Sequence, residues 1–286
     1  MMQKKVLKNI IHYNDCWFRN CFYQQLVAAY GAFGIPADYV VCNYTIDIDF
    51  SDDNETLDIR EHEILDEDEF SALTGICQKR VRFEDVCKQL CTAVRSGNPV
   101  ILGADSFYLP TRTQYYNQKH APHYLLVYEF DLKRKMFTVG ENDGIAIFHF
   151  TEKEVPFDVI EQTYHSFEER FASPDSAVQL EIAKKCPLYL RADALNKLKK
   201  DFCERNYIQY VSFYRMLLEK SWTVEELSSW LEFAIKYTNF FRILMKQCSY
   251  MFGEPKKLNV LADIWHDALS SLEILKDAIR LGQPEL

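Results

Sequence analysis

The sequence contains no long uninterrupted apolar run, although hydrophobic residues make up 48% of its 286 residues. A membrane-spanning helix requires roughly 18 to 20 consecutive apolar residues, and no segment approaches that length. The N-terminus also lacks the apolar core of a signal peptide, because only Val6 and Leu7 stand between Lys5 and Lys8. We therefore expect a folded cytoplasmic protein without a membrane anchor.

Positive charge is scarce as well. The chain has 33 Lys and Arg residues against 42 Asp and Glu residues, which gives a net charge of -9. Because nucleic acids and anionic membranes attract positively charged surfaces, neither is expected as a partner. Twelve acidic residues fall between Asp47 and Glu69, with Arg60 as the single Lys or Arg. This acidic segment predicts a solvated hairpin or a flexible loop.

Cysteine is present, but without the spacing of a disulfide framework or a zinc site. The nine cysteines are an odd number and are scattered along the chain, so we expect reduced thiols. Cys77, Cys87 and Cys91 lie near one another in sequence, but zinc ligands are usually more tightly paired. No bound metal is expected. A free cysteine can still serve as a nucleophile.

The pattern of apolar residues predicts an α+β fold in two parts. Residues 1–150 are predicted to form a papain-like catalytic core, with an N-terminal helix packed on an antiparallel sheet. Its predicted helices and strands cover residues 16–33, 40–49, 83–95, 100–104, 124–130, 136–139 and 145–150. Residues 151–286 are predicted to be mostly helical and to pack on the core or its cleft.

The first predicted helix is amphipathic. Phe18, Phe22, Leu26, Ala29 and Phe33 share one stripe, and Gln24 and Gln25 lie largely off it. The glycines at 31 and 34, followed by Pro36, predict where this helix ends.

Cys16 is the candidate nucleophile, because it stands where a polar segment meets this helix. Unpaired N–H groups and the positive end of the helix dipole favour thiolate at such a position. Cys21 lies about one and a half turns further along, inside the predicted helix rather than at its tip. We therefore prefer Cys16 to Cys21.

A cysteine nucleophile needs a base and a group that orients the base. His123 opens an apolar strand directly after Pro122, and the next predicted strand ends at Glu141 and Asn142. A regular hairpin would return that strand end to the side of His123. The order of cysteine on a helix, histidine on a strand and an acid or amide on the neighbouring strand is papain-like. Either Glu141 or Asn142 could orient the histidine.

Several segments resemble the butirosin biosynthesis protein H N-terminal family, a set of papain-fold cysteine enzymes of natural-product pathways. The resemblance covers about residues 6–150. It rests on Asp15-Cys16, Ala29-Tyr30-Gly31, Gly97-Asn98-Pro99-Val100, Asp105-Ser106-Phe107-Tyr108-Leu109-Pro110, His120-Ala121-Pro122-His123-Tyr124-Leu125-Leu126-Val127-Tyr128 and Phe137-Thr138-Val139-Gly140-Glu141-Asn142.

The resemblance implies an acyltransferase that moves an acyl, aminoacyl or peptidyl group from a carrier-protein thioester to an amine acceptor. Cys16 would hold the acyl group, and His123 would take the thiol proton and later deprotonate the amine. The acid position of the family falls on Glu141, where aspartate is more usual. The partners would be an acyl or peptidyl carrier protein, which brings its own phosphopantetheine, and a small-molecule or peptide amine. The protein would need no cofactor of its own, and a homodimer is a further expectation.

Two residues are expected to assist the chemistry. The backbone N–H of Cys16 and the side chain of Asn14 are candidate donors to the oxyanion, with His12 a weaker candidate. Asp105 ends a predicted strand, where it would organise the following loop or bind the amine of the acceptor.

Two other functions remain open from the sequence. The same residues would serve a peptidase, amidase or thioesterase if water, rather than an amine, attacked the acyl-enzyme. An inactive interaction protein on a papain fold is a third alternative, against which the presence of both Cys16 and His123 argues.

Overall fold

A computed structural model describes residues 3–14, 20–51, 56–142, 149–171, 173–183, 191–202 and 255–280, together with single positions between 204 and 245. The chain divides into two compact units. The first unit comprises Met1–Val40 and Asp66–Ala194, and the second comprises Val41–Leu65 and Leu195–Leu286.

The helices and strands follow one another along both units. The strands are β1 (Lys4–Val6), β2 (Thr45–Ser51), β3 (Thr56–His62), β4 (Ile76–Arg80), β5 (Val100–Asp105), β6 (Pro122–Asp131), β7 (Met136–Asn142), β8 (Phe150–Pro156) and β9 (Ala177–Ile182). The helices are α1 (Cys21–Gly31), α2 (Ala37–Cys42), α3 (Glu67–Thr74), α4 (Val86–Arg95), α5 (Phe157–Phe171) and α6 (Pro255–Arg280), with a short 3-10 turn at Ser106–Tyr108. The expected α+β class is confirmed.

The first unit is built on a seven-stranded antiparallel sheet in the order β4-β9-β5-β6-β7-β8, with β1 paired to β6. Strand β5 is buried along its whole length. Its residues do not alternate between buried and exposed positions, because both faces of the strand are covered.

This sheet extends past the domain boundary expected at residue 150. Strand β8 pairs with β7, and β9 pairs with both β4 and β5. Residues 150–182 therefore belong to the same unit as the strands before them. After Phe150 the chain leaves the central strands for the edge strand β8 and α5 but stays within the first unit.

Helix α1 begins five residues later than expected. The Asn20 side chain accepts a hydrogen bond from the backbone N–H of Tyr23 at 3.1 Å, so Asn20 is the N-cap and Cys21 is the first helical residue. Residues 15–19, which include Cys16, lie outside the described residues. The placement of Cys21 inside the helix is therefore wrong, whereas the expected end near Gly31 is confirmed.

The expected polar face of this helix is also wrong. Every residue from Tyr23 to Gly31 is buried, and Gln24 and Gln25 have no exposed surface. Amphipathic periodicity assumes solvent on one side of the helix. Helix α1 instead lies against β6 on one side and is covered on the other, so the glutamine amides are enclosed.

Helix α5 packs on the sheet through a position that has no side chain. A Cβ atom at Gly103 of β5 would lie 2.5 Å from the Phe167 ring of α5. Phe167 is itself almost fully buried. The glycine thus allows an aromatic ring to lie directly against the backbone of a central strand.

The second unit contains the acidic segment up to Glu63, whereas its last four acidic residues, Asp66 to Glu69, form the N-cap and first turn of α3 in the first unit. Strands β2 and β3 pair in antiparallel register from Thr45 with His62 to Ser51 with Thr56, so the expected hairpin is confirmed. Its base is closed by the Asn43 side chain, which accepts from the Leu65 N–H at 2.7 Å and donates to the Leu65 carbonyl at 3.2 Å. The expected C-terminal helices are also present, with residues 191–202 helical and α6 closing the described chain.

Cysteine chemistry differs along the chain. Cys21, Cys77, Cys87 and Cys91 carry free thiols, whereas Cys42 is disulfide-bonded. The expectation that all thiols are reduced is therefore wrong at Cys42. None of the helices in the described part of the chain is both long and apolar enough to cross a membrane.

We predict that Gly103→Ala destabilises the protein by about 1 to 3 kcal/mol, because the added methyl group would overpack the contact with Phe167. Urea unfolding measures the change. Phe167→Leu in the same chain is the matched control, since a smaller side chain opens space and should recover part of the loss that Gly103→Ala causes. A stability within about 0.5 kcal/mol of wild type for Gly103→Ala alone, the usual range for a harmless substitution, would contradict the prediction.

Candidate active site

Cys21 is the first residue of α1, and its thiol lies close to the start of the central strand β6. As the first helical residue it has a backbone N–H without an intrahelical acceptor. The positive end of the helix dipole lies at the same place. These are the features that the sequence argument attributed to Cys16, and they belong to Cys21.

His123 supplies an imidazole next to this thiol. It is the second residue of β6 and pairs with Ala104 at the end of β5, so its position is fixed by two central strands. The side chain is 2% exposed. It lies within hydrogen-bonding range of the Cys21 thiol.

The two side chains shift each other's proton affinity. Burial raises the pKa of the Cys21 thiol, but the hydrogen bond to His123 and its positive charge lower that pKa by more, so the net shift is downward. Burial lowers the pKa of His123, and the contacts with Cys21 and Glu141 more than reverse this effect. Both directions favour a thiolate beside an imidazolium.

Glu141 lies behind the imidazole. Its Oε2 is 3.7 Å from His123 Nε2, and the side chain is only 1% exposed. Among the described residues, neither carboxylate oxygen has a hydrogen-bond partner within bonding distance. A buried carboxylate without donors is costly, so the nearby imidazolium is the group that offsets its charge.

Asn142, the alternative orienting residue, has a different neighbour. The Nη1 group of Arg112 donates to the Asn142 carbonyl at 2.6 Å and to its side-chain oxygen at 3.2 Å. Of the two candidates at the end of β7, Glu141 is thus the one beside His123.

Asp105 has its side chain fully engaged. One oxygen accepts from the Phe107 N–H at 3.1 Å, and the other accepts from the Ser166 hydroxyl at 2.7 Å and lies 2.6 Å from His120 Nδ1. Burial raises the pKa of Asp105, but the contacts with His120 and Ser166 lower it overall. These contacts tie Asp105 to both ends of the loop between β5 and β6 and engage both of its carboxylate oxygens.

The expected oxyanion donors, Asn14 and His12, contact residues of β8. The Asn14 side-chain oxygen accepts from the Phe150 backbone N–H at 2.8 Å, which joins the segment before α1 to β8. His12 stacks on Phe150 with ring centroids 4.8 Å apart and lies 3.3 Å from Glu152. Cys16 lies outside the described residues, so its backbone N–H has no described position.

Sequence reasoning missed Arg112. It lies in the loop between β5 and β6, in a polar stretch without a recognisable motif. Its charge nevertheless acts on both Cys21 and His123. In the sequence, Arg112 is an isolated arginine between the segments that end at Pro110 and begin at His120. Its position in the structure depends on the path of the loop.

No curated protein matches the chain. The family model of the DUF1839 N-terminal domain matches residues 8–178. That span covers α1, β5, β6 and β7, the elements that carry Cys21, Asp105, His123 and Glu141. With more than half of its length matched, the chain belongs to the DUF1839 N-terminal domain family.

Proposed function

We propose that the protein is a cysteine-dependent acyltransferase that works through an acyl-enzyme. One observation carries the proposal: the Cys21 thiol at the first position of a helix contacts the buried His123 imidazole. This pairing holds the reactive, deprotonated form of the thiol next to a proton donor. In this proposal the nucleophile is Cys21 rather than Cys16.

The reaction follows from the positions of these groups. The Cys21 thiolate attacks the carbonyl carbon of a thioester, and His123 gives its proton to the departing thiol. The neutral His123 then accepts a proton from the incoming amine as that amine attacks the acyl-enzyme. The bond between the acyl carbon and the Cys21 sulfur breaks, which releases the amide and restores the Cys21 thiolate. Glu141 favours the imidazolium form of His123 in each half of the cycle, and the backbone N–H of Cys21 is placed to donate to the oxyanion.

The donor and acceptor come from the resemblance to the butirosin biosynthesis protein H N-terminal family. By that likeness the donor is a thioester on the phosphopantetheine of an acyl or peptidyl carrier protein, and the acceptor is an amine. The proposed setting is natural-product biosynthesis. The burial of His123 and Glu141 supports transfer over hydrolysis, because bulk water reaches the base poorly whereas a bound amine displaces solvent.

Replacement of the nucleophile tests the proposal directly. We predict that Cys21→Ala abolishes the covalent acyl adduct, which intact-protein mass spectrometry detects as a mass increase after incubation with an acyl-loaded carrier protein. Cys16→Ala is the matched control and should still form the adduct. An adduct that survives in Cys21→Ala and disappears in Cys16→Ala would assign the nucleophile to Cys16 instead.

The pH dependence of thiol reactivity tests the ion pair. We predict that iodoacetamide alkylates Cys21 at pH values below the ordinary thiol pKa, because the pKa of Cys21 is lowered and that of His123 is raised. His123→Gln removes the positive partner and should move the alkylation profile to higher pH. Peptide mapping identifies the alkylated residue. Identical profiles for wild type and His123→Gln would show that the pair does not hold a thiolate.

Glu141→Gln tests the orienting group. The substitution preserves shape but removes the charge near His123 Nε2, so the imidazolium loses stabilisation. We predict a fall in kcat/KM of roughly 10²-fold or more, in line with the large effects of removing a carboxylate behind a catalytic histidine. Asn142→Asp at the adjacent position is the control, and it should have the smaller effect. The reverse ranking would make Asn142 the orienting residue.

A further inference from the structure

The loop between β5 and β6 is held closed at its base. The Ser106 N–H donates to the Ala121 carbonyl at 2.9 Å, and the Asp105 carboxylate lies 2.6 Å from His120 Nδ1. His120 also stacks on Phe107, with ring centroids 4.3 Å apart. Both ends of the loop are therefore fixed at the sheet edge that carries His123. The middle of the loop is folded back on its first part, because the Asn117 N–H donates to the Phe107 carbonyl at 2.9 Å.

Arg112 joins the middle of the loop to the end of β7. Its Nη1 makes two hydrogen bonds to Asn142, at 2.6 and 3.2 Å, and its guanidinium lies 5.6 Å from the centre of the Tyr115 ring. Asn142 directly follows Glu141 in β7. The loop thus places the permanent positive charge of Arg112 next to β7, the strand that carries Glu141.

One side of this guanidinium is left unused. Nε of Arg112 is buried, and it has no hydrogen-bond partner in the described part of the chain. A buried donor without an acceptor costs about 1 to 3 kcal/mol, so such an atom calls for an explanation. An acceptor that is present only during the reaction would provide one.

The charge of Arg112 acts in the direction of such a role. It lowers the pKa of both Cys21 and His123. For Cys21 this favours the thiolate. For His123 it favours release of the proton to a leaving group, although the contacts with Cys21 and Glu141 keep the net shift of the imidazole upward.

We propose that Arg112 stabilises the negative charge that passes from the Cys21 sulfur to the thioester oxygen during acyl transfer. This inference rests on the proposed function. As the new bond between Sγ and the carbonyl carbon forms, one electron pair of the carbonyl moves onto its oxygen. The oxygen then accepts a hydrogen bond from Arg112. When the electron pair returns, the bond to the departing sulfur breaks, and that sulfur takes the proton of His123.

Arg112→Gln and Arg112→Lys separate this role from that of a structural fastener. Gln removes the charge but retains an amide that can donate to Asn142, whereas Lys retains the charge without the planar fork. We expect Arg112→Gln to shift the alkylation profile of Cys21 to higher pH and Arg112→Lys to leave it near that of wild type. A purely structural role would not produce this difference in pH profile.

The rate of single-turnover acylation by acetyl-pantetheine measures how much Arg112 stabilises the transition state. We expect Arg112→Gln to acylate about 10²- to 10³-fold more slowly than wild type, the size of effect seen when an oxyanion donor is removed. Arg112→Lys should acylate at an intermediate rate. Should Arg112→Gln fail to fold, as judged by circular dichroism, Arg112→Lys decides. If Arg112→Lys acylates at the wild-type rate, the proposed hydrogen bond from Arg112 to the oxyanion is overturned.

Arg95→Gln is a matched control. Arg95 is also half-buried, its Nε likewise lacks a partner among the described residues, and its guanidinium lies 5.2 Å from the centre of the Phe130 ring. Its charge acts on Cys91 instead. Arg95→Gln should change neither the Cys21 profile nor the acylation rate.

The outcomes distinguish the inference from the proposed function. A wild-type protein that forms no acyl adduct with acetyl-pantetheine or an acyl-loaded carrier protein overturns the proposed function, and the bond to the oxyanion with it. A wild-type protein that acylates, together with an Arg112→Gln variant that acylates within about threefold of it and has an unchanged alkylation profile, overturns the inference alone. In that case Arg112 only fastens the loop to β7.

Discussion

The contact between the Cys21 thiol and the His123 imidazole is the interaction on which the proposed chemistry depends, and it requires three separate parts of the chain to meet. Helix α1 must begin at Cys21, β6 must begin just before His123, and β7 must bring Glu141 behind the imidazole. Buried charge is costly unless it is compensated. In the proposed ion pair, the negative charge of Cys21 and Glu141 would be offset by an imidazolium at His123 and by the guanidinium of Arg112, whose charge also acts on Cys21 and His123.

Much of this arrangement follows from local sequence. The strands from Val100 to Asn142 and their antiparallel order were predictable because short apolar runs alternate with clear turn residues, and these strands alone place His123 and Glu141 at one edge. A histidine at a strand start and an acid at the end of the next strand meet whenever the hairpin between them is regular. The positions of His123 and Glu141 relative to each other were therefore predictable from the sequence.

The start of α1 was not predictable in the same way. Asp15 and Asn20 are both acceptable helix caps, and an amphipathic stripe that runs through Phe18 and Phe22 fits either beginning. What distinguishes them is the tertiary contact of Cys21 with His123 and the burial of Gln24 and Gln25. Arg112 was missed for a related reason, since its position depends on its hydrogen bonds to Asn142, a residue thirty positions away in sequence.

The order of strands in the sheet has a consequence for how the protein is made. Strand β5 lies between β6, which follows it closely, and β9, which is formed by Ala177–Ile182. During synthesis β5 and β6 can pair early, but β4 acquires its partner in this sheet only after β9 has left the ribosome. Until then the nascent chain exposes two open strand edges, the feature that makes an incomplete sheet prone to association. The residues that complete the sheet are thus among the last of its unit to be translated, and they carry none of the proposed chemistry.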